Sequence, residues 1–197
     1  MIRETTTEQI KALRDLTGIS VMQCKKALEE AKGDVEKALI ILRKKGAEIA
    51  AKKSDRTFGA GAVASYIHGN GTIGAMVELS AETDFVSGNE AFRSLAYDIA
   101  MHVAASAPEF LKNEDITMEK RQVALQVFEK EVLDKPENLR EKILEGKLAS
   151  YFKDKILLEQ PFIKNPDLTI RQVIESAIQK FGEKIEVARF VRFKVGS

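Results

Sequence analysis

The chain has 197 residues, 44% hydrophobic and 31% charged, with 31 basic against 30 acidic side chains, which suits a helix-leaning globular protein of one domain, or one domain with a small companion. One cysteine (Cys24) and two histidines (His68, His102) exclude an internal disulfide and leave too few ligands for an ordinary zinc site. The polar opening Met1-Ile2-Arg3-Glu4-Thr5 has no apolar run of an export signal, and the longest stretch free of Asp, Glu, Lys and Arg, 57–77, is too rich in glycine for a membrane span, so a cytoplasmic location is expected.

Residues 1–46 read as three short helices. Thr5-Thr6-Thr7-Glu8 fits a capping box ahead of Ile10, Leu13 and Leu16, and Gly18 supplies a stop. Ser20-Val21-Met22-Gln23 offers a second box, with Ile19 stapled onto Cys24 and an apolar face of Val21, Cys24, Leu28 and Ala31 that ends at Gly33. Asp34 caps a third helix carrying Val35, Ala38, Leu39 and Leu42, closed by Arg43-Lys44-Lys45-Gly46. Three helices of this size bury little surface alone, so the module is expected to dock on something.

Residues 47–56, small and charged, read as a linker into a second unit over 57–197. There the period changes to two: Ile73, Ala75, Val77, Leu79 and Ala81 alternate with Thr72, Gly74, Met76, Glu78 and Ser80. Thr57–His68 is the partner strand across the hairpin signal His68-Gly69-Asn70-Gly71. A helix from Asn89 puts Phe92, Leu95, Ile99 and Val103 on one face, and helical patterns follow over 118–133 and 136–159, with Pro136 in the first turn. Pro161-Phe162 and Asn165-Pro166 mark an extended connection, and Thr169-Ile170-Arg171-Gln172 caps a helix ending at Gly182. In the final strand Ile185, Val187, Val191, Phe193 and Val195 face one way, while Arg189 breaks that face and signals a bulge or a functional exposure. Strand, strand, helices, strand describes an α+β fold: a short antiparallel sheet with helices on one face. Gly59, Gly61 and Gly74 give the sheet small side chains that suit packing of another sheet.

Charge is uneven along the chain: 13 basic against 9 acidic groups in 1–56, 2 against 8 in 57–118, and 16 against 13 in 119–197. The acidic middle third speaks against a nucleic-acid surface. Gly69-Asn70-Gly71-Thr72-Ile73-Gly74 matches G-x-G-x-x-G, but a strand pattern follows where a dinucleotide site needs a helix. Cys24 beside Lys25 and Lys26 is a core-facing thiol, and the i, i+4 pair Asp98 and His102 has no nucleophile placed with it. Nothing here points to catalysis, a metal or a cofactor. Thr83-Asp84-Phe85-Val86 stands apart, between a clean strand and a helix start; from the residues alone it is a turn with apolar side chains tucked inward.

Leu13-Arg14-Asp15-Leu16-Thr17-Gly18, Cys24-Lys25-Lys26-Ala27-Leu28-Glu29, Gly33-Asp34 and Leu42-Arg43-Lys44-Lys45-Gly46 closely resemble the amino-terminal module of the bacterial elongation factor Ts family. Thr83-Asp84-Phe85-Val86 resembles that family's core signature, and Gln160-Pro161-Phe162 with Ile185-Glu186-Val187-Ala188-Arg189-Phe190 its carboxy-terminal part. The resemblance covers nearly the whole chain and implies a ubiquitin-associated-like three-helix module joined to an α+β core. It implies guanine nucleotide exchange on GDP-bound elongation factor Tu, with no bond made or broken by the factor. In that picture the amino-terminal module docks on the partner through Leu13, Thr17, Gly18, Val21, Met22 and Lys25. The loop Thr83, Asp84, Phe85 and Val86 enters near the nucleotide, and magnesium coordination is lost. Longer members carry two core copies and a coiled-coil insertion. This chain has room for one copy, which implies a short form that pairs as a homodimer. A ubiquitin-associated-like adaptor would leave Thr83–Val86 unused, and a nucleotide-binding enzyme would need the glycine loop to bind.

Overall fold

The structure, a computed structural model, describes residues 5–134 and 136–196; the opening Met1–Glu4, part of the polar lead, lies outside the described residues. In chain order the elements are α1 (Thr7–Thr17), α2 (Val21–Glu30), α3 (Val35–Lys52), β1 (Ala60–His68), β2 (Ile73–Ala81) and α4 (Asp84–Ser87). There follow α5 (Glu90–Ser106), α6 (Met118–Glu131), α7 (Glu137–Lys153), β3 (Pro161–Phe162), β4 (Asn165–Thr169), α8 (Ile170–Phe181) and β5 (Ile185–Lys194). The fold is α+β, as the alternation of patterns predicts.

The caps form where short polar side chains precede apolar periodicity, with one shift. The box on α1 is Thr6 with Gln9, not Thr5 with Glu8: Thr6 Oγ1 accepts from Gln9 N–H at 3.2 Å and Gln9 Oε1 from Thr6 N–H at 3.1 Å. Gln9 also donates to the Gly33 carbonyl at 3.0 Å, a tertiary bond that selects this frame. Leu13, Ile19, Cys24, Ala27, Leu28, Ala31, Ala38 and Leu42 make the cluster between these helices. Two expected members lie outside it. Leu16 and Val21 are exposed; Ile19, on the approach to α2, occupies the core beside Cys24 instead.

Nor does α3 close at Gly46. It continues through residues expected to be linker and ends at Lys52. Gly46 is a crossing point: a Cβ there would stand 3.1 Å from Gln179 Oε1 and 3.3 Å from the Glu175 carbonyl oxygen of α8. Beyond it Ile49 and Ala50 pack against the larger core. Gln179 donates to Gln23 at 2.6 Å, so α2 and α3 both bear on α8. The connection proper is 53–59, tied down where Lys184 Nζ donates to the Ser54 and Arg56 carbonyls at 2.6 and 3.0 Å.

Among the described residues β1, β2 and β5 form an antiparallel sheet in the order β1-β2-β5. Ala75, Val77, Leu79 and Ala81 of β2 meet Phe92, Ile99 and Val103 of α5 and Ile170, Ile174 and Ile178 of α8 in the main core. The glycine-rich motif is the β1–β2 turn, with Gly71 at φ +80° donating to the His68 carbonyl at 2.9 Å, and the strand after it rules out the dinucleotide geometry. Gly61 serves the sheet's own close approach, since a Cβ there would meet the Leu79 carbonyl oxygen at 2.7 Å.

The final strand corrects the single-face expectation. Leu79 pairs with Val187 but Glu78 with Arg189, so Ala188 is an extra residue and the parity of β5 reverses. Ile185 and Val187 are buried, whereas Val191, Phe193 and Val195 turn outward with Arg189. On that outer face Val63, Ile67, Met76, Val191 and Phe193 lie exposed around an Arg189–Glu78 ion pair of 2.6 Å.

α6 and α7 form a helical hairpin closed at its base by Phe110, Ile116, Ala124, Phe152 and Ile156. The second of these helices ends at Lys153, short of 159, because residues 157–159 make a 3₁₀ turn leading into β3.

Candidate functional site

Thr83-Asp84-Phe85-Val86 opens α4, a single turn between β2 and α5. Its four residues divide sharply. Val86 is 3% exposed and Ser87 is buried, whereas Phe85 is 85% exposed, so the expectation that both apolar residues tuck inward holds for Val86 alone. Among the described residues nothing pairs with the exposed Asp84 carboxylate. An aromatic ring and a free carboxylate thus stand side by side in solvent on a turn anchored by its next two residues. Arg93 holds the far end, its Nε donating to the Ser87 carbonyl at 3.4 Å. Gly88 leaves room for the turn, since a Cβ there would meet the Asp84 carbonyl oxygen at 2.9 Å.

The near end is held from outside. Thr83 has N-cap backbone geometry but makes no capping bond with its side chain; its N–H and hydroxyl both donate to the Glu183 carboxylate, at 3.0 and 2.5 Å. Neighbouring Glu82 accepts from Lys184 N–H at 2.5 Å and pairs with Arg56 at 3.0 Å. Burial opposes the charge on Glu82, but these donors outweigh it and hold the carboxyl below the ordinary carboxylate range. No sequence spacing foretells Glu183, which reaches Thr83 across 100 residues.

The residues expected to dock a partner fall into two groups. Leu13 is fully buried in the helical cluster and is corrected to a core residue. Thr17 is engaged internally, donating to the Leu13 carbonyl at 2.7 Å, and Gly18 faces the Lys180 side chain. Val21, Met22 and Lys25 are exposed on α2, and Leu16, at 68% exposure, joins them from α1. Leu16 continues the three-residue spacing of Ile10 and Leu13, so no signal in the sequence sets it apart from them.

The other groups of chemical interest are structural. Burial raises the Cys24 thiol, against smaller opposing effects of the Thr17 hydroxyl and Arg14, which marks an inert side chain. Asp98 pairs with Lys164 at 2.9 Å, not with His102. His102 is fully buried: its Nδ1 accepts from Ile163 N–H at 3.3 Å, which places the proton on Nε2, 2.9 Å from Gln160 Oε1. Burial, exceeding the pull of Gln160, keeps this ring below the usual histidine pKa. Among the described residues no cluster of three or more His, Cys, Asp or Glu could hold a metal, and no helix is long and apolar enough to cross a membrane.

The sequence model of the family described as Elongation factor TS matches residues 3–197. Proteins named Elongation factor Ts are similar over almost the same span. That of Carboxydothermus hydrogenoformans is 48% identical over 193 residues, 97% of this chain and 89% of the relative. That of Thermosipho melanesiensis is 48% identical over 189 residues, 95% of this chain and 96% of the relative, and that of Thermotoga petrophila 45% identical, with 98% and 97% covered.

Proposed function

Because the chain belongs to the elongation factor Ts family, we infer that it serves translation elongation as the guanine nucleotide exchange factor of elongation factor Tu, with Thr83–Val86 as the element that displaces magnesium and frees GDP. The observation that carries this assignment is Phe85, held 85% exposed on a turn whose next residue is buried. A large apolar side chain kept in water by a fixed backbone gains its contacts only in a complex. Asp84 beside it brings a carboxylate that competes with the partner's own groups for the magnesium ion and repels the phosphates of GDP, which disfavours the nucleotide-bound arrangement.

Exchange is differential binding. The factor accelerates GDP release by preferring the open, magnesium-poor partner, and by linkage it lowers GDP affinity by the factor by which GDP lowers its own. In this reading the first three helices form the docking module, with Leu16, Val21, Met22 and Lys25 as its contact surface. Val86 anchors the turn; Phe85 and Asp84 act. The test is release of fluorescent GDP from elongation factor Tu with and without the chain: a rate independent of added chain would refute the assignment.

The outer face of the sheet belongs to a second copy of the chain. Its support is the run of exposed Val63, Ile67, Met76, Val191 and Phe193 around Glu78 and Arg189. A two-fold axis there would bring each carboxylate toward the other copy's guanidinium, a self-complementary arrangement. Light scattering giving 21.9 kDa at tens of micromolar, roughly the range at which an interface of ordinary size is filled, would refute it.

A further inference from the structure

Past the last rung of the β2–β5 ladder, Ala81 opposite Ile185, the strands part and two glutamates bridge them in opposite directions. Glu82 accepts from the Lys184 N–H, and Glu183 accepts from both the N–H and the hydroxyl of Thr83. A threonine at an N-cap ordinarily accepts from its own helix; here the local closure is replaced by a charge-assisted tether to another element. A single helical turn cannot hold its own geometry, so the direction of Phe85, two residues on, is set by that tether on one side and by buried Val86 and Ser87 on the other. Glu183 follows Gly182, the cap of α8, and one turn earlier α8 presents Gln179 to Gln23 and lies across Gly46. One helix therefore grips the first three helices along its second half, from Glu175 to Gln179, and the Phe85 turn just past its end.

We propose that Glu183 is a positioning residue for the Phe85 turn and that α8, through Gln179 and Glu183, fixes the span between the docking helices and the exposed ring. This rests on Phe85 being the acting side chain. Pre-organisation of this kind raises the fraction of bound complexes in which the ring is already in place, and it leaves the docking surface untouched.

GDP release from elongation factor Tu, measured over a range of factor concentrations for the full-length Glu183→Ala, Glu183→Gln, Thr83→Val and Phe85→Ala chains, tests the proposal, with a melting midpoint for each sample. Glu183→Ala should lower the maximal rate roughly three- to thirtyfold, the effect of losing charge-assisted hydrogen bonds, and leave the half-saturating concentration within about twofold. Glu183→Gln, which keeps a carbonyl acceptor for Thr83, should recover most of the rate, and Thr83→Val, which keeps the N–H alone, should fall between. An unchanged maximal rate in Glu183→Ala beside a slow Phe85→Ala overturns the proposal alone. So does a raised half-saturating concentration with an unchanged maximal rate, which would place Glu183 in docking. So does a loss that Glu183→Gln fails to restore and that follows a fall in melting midpoint. A normal rate in Phe85→Ala overturns the underlying assignment instead.

Discussion

Replacing Phe85 by alanine separates a side chain that works in a complex from one that holds the fold. With 85% of its surface already in water, only about 15% of a phenylalanine's roughly 200 Å² is sheltered in the free chain. At about 25 cal/mol per Å² that shelter amounts to under ~1 kcal/mol, against about 3–5 kcal/mol for truncating a buried phenylalanine. For a chain of this size the melting midpoint should fall by no more than about 3 °C. The exposed remainder, about 170 Å², sets an upper bound of ~4 kcal/mol on what the ring gains when a partner covers it, so catalysed GDP release should slow by roughly ten- to a hundredfold. Val86→Ala provides the opposite case on the adjacent residue: a buried side chain loses two methyl groups, costs about 2 kcal/mol, and leaves the ring in place. Differential scanning calorimetry and stopped-flow release of fluorescent GDP on the same two samples read both quantities. An alanine at 85 that melts many degrees early yet supports normal exchange when folded would end the assignment.

Gly46→Val should prise α3 from α8 by forcing atoms into the Glu175 backbone, lowering stability by about 1–3 kcal/mol in urea titrations; an unchanged midpoint would show that the crossing can relax. Removal of residues 1–46 cuts α3 in mid-helix and uncovers Gln179, so the truncated chain should both bind elongation factor Tu more weakly and melt earlier than the intact one; full retention of binding would contradict the docking role, and full retention of stability the packing. His102 is held neutral by burial, so the unfolded chain takes up a proton that the folded chain refuses; its contribution to stability is present above about pH 6.5 and is lost as pH falls below it. Melting midpoints from pH 8 to 5 should therefore drop more steeply for the native chain than for His102→Gln, and equal slopes would assign the acid sensitivity elsewhere. Phe193→Glu places a charge on the outer sheet face and should halve the mass seen by light scattering without loss of helix content; an unaltered mass would remove that face from the proposed pairing.

What the sequence made legible followed the range of the interactions involved. Caps at Ser20, Asp34, Asn89 and Thr169 could be read because a side chain and the N–H it serves lie within three residues. Even there the frame slipped at Thr6, where the Gln9–Gly33 bond decided between two adjacent threonines. The alternation of β2 is local and was plain, whereas the reversal inside β5 depends on its partner strand and left one trace, Arg189 on an apolar face. Gly46 looks like a stop because a glycine after three basic residues usually is one; only the presence of α8 makes it a crossing. In the candidate site, composition argues for burying Phe85 with Val86, and it was the family resemblance that gave the loop its role. Glu183 and Leu16 carried no such mark: one acts across the length of the chain, and the other matters by what it fails to touch.

The extra residue at Ala188 lets one strand answer to two neighbours. Before it, β5 offers Ile185 and Val187 to the helices; after it, the strand offers Val191 and Phe193 to whatever lies beyond the sheet. Taking Ala188 into the ladder, opposite Glu78, would keep every residue and every hydrogen-bonding group, yet exchange the audiences of those that lie beyond it. Phe190 and Arg192, whose guanidinium donates to the Ala104 carbonyl at 3.0 Å, would turn to solvent, and Phe193 would be driven against α5. The composition would be unaltered and the helices intact, but the outward chemistry would be rewritten by a change of phase. A single inserted residue is thus the device by which ten residues of strand carry two unrelated messages, one folded inward and one addressed to other molecules.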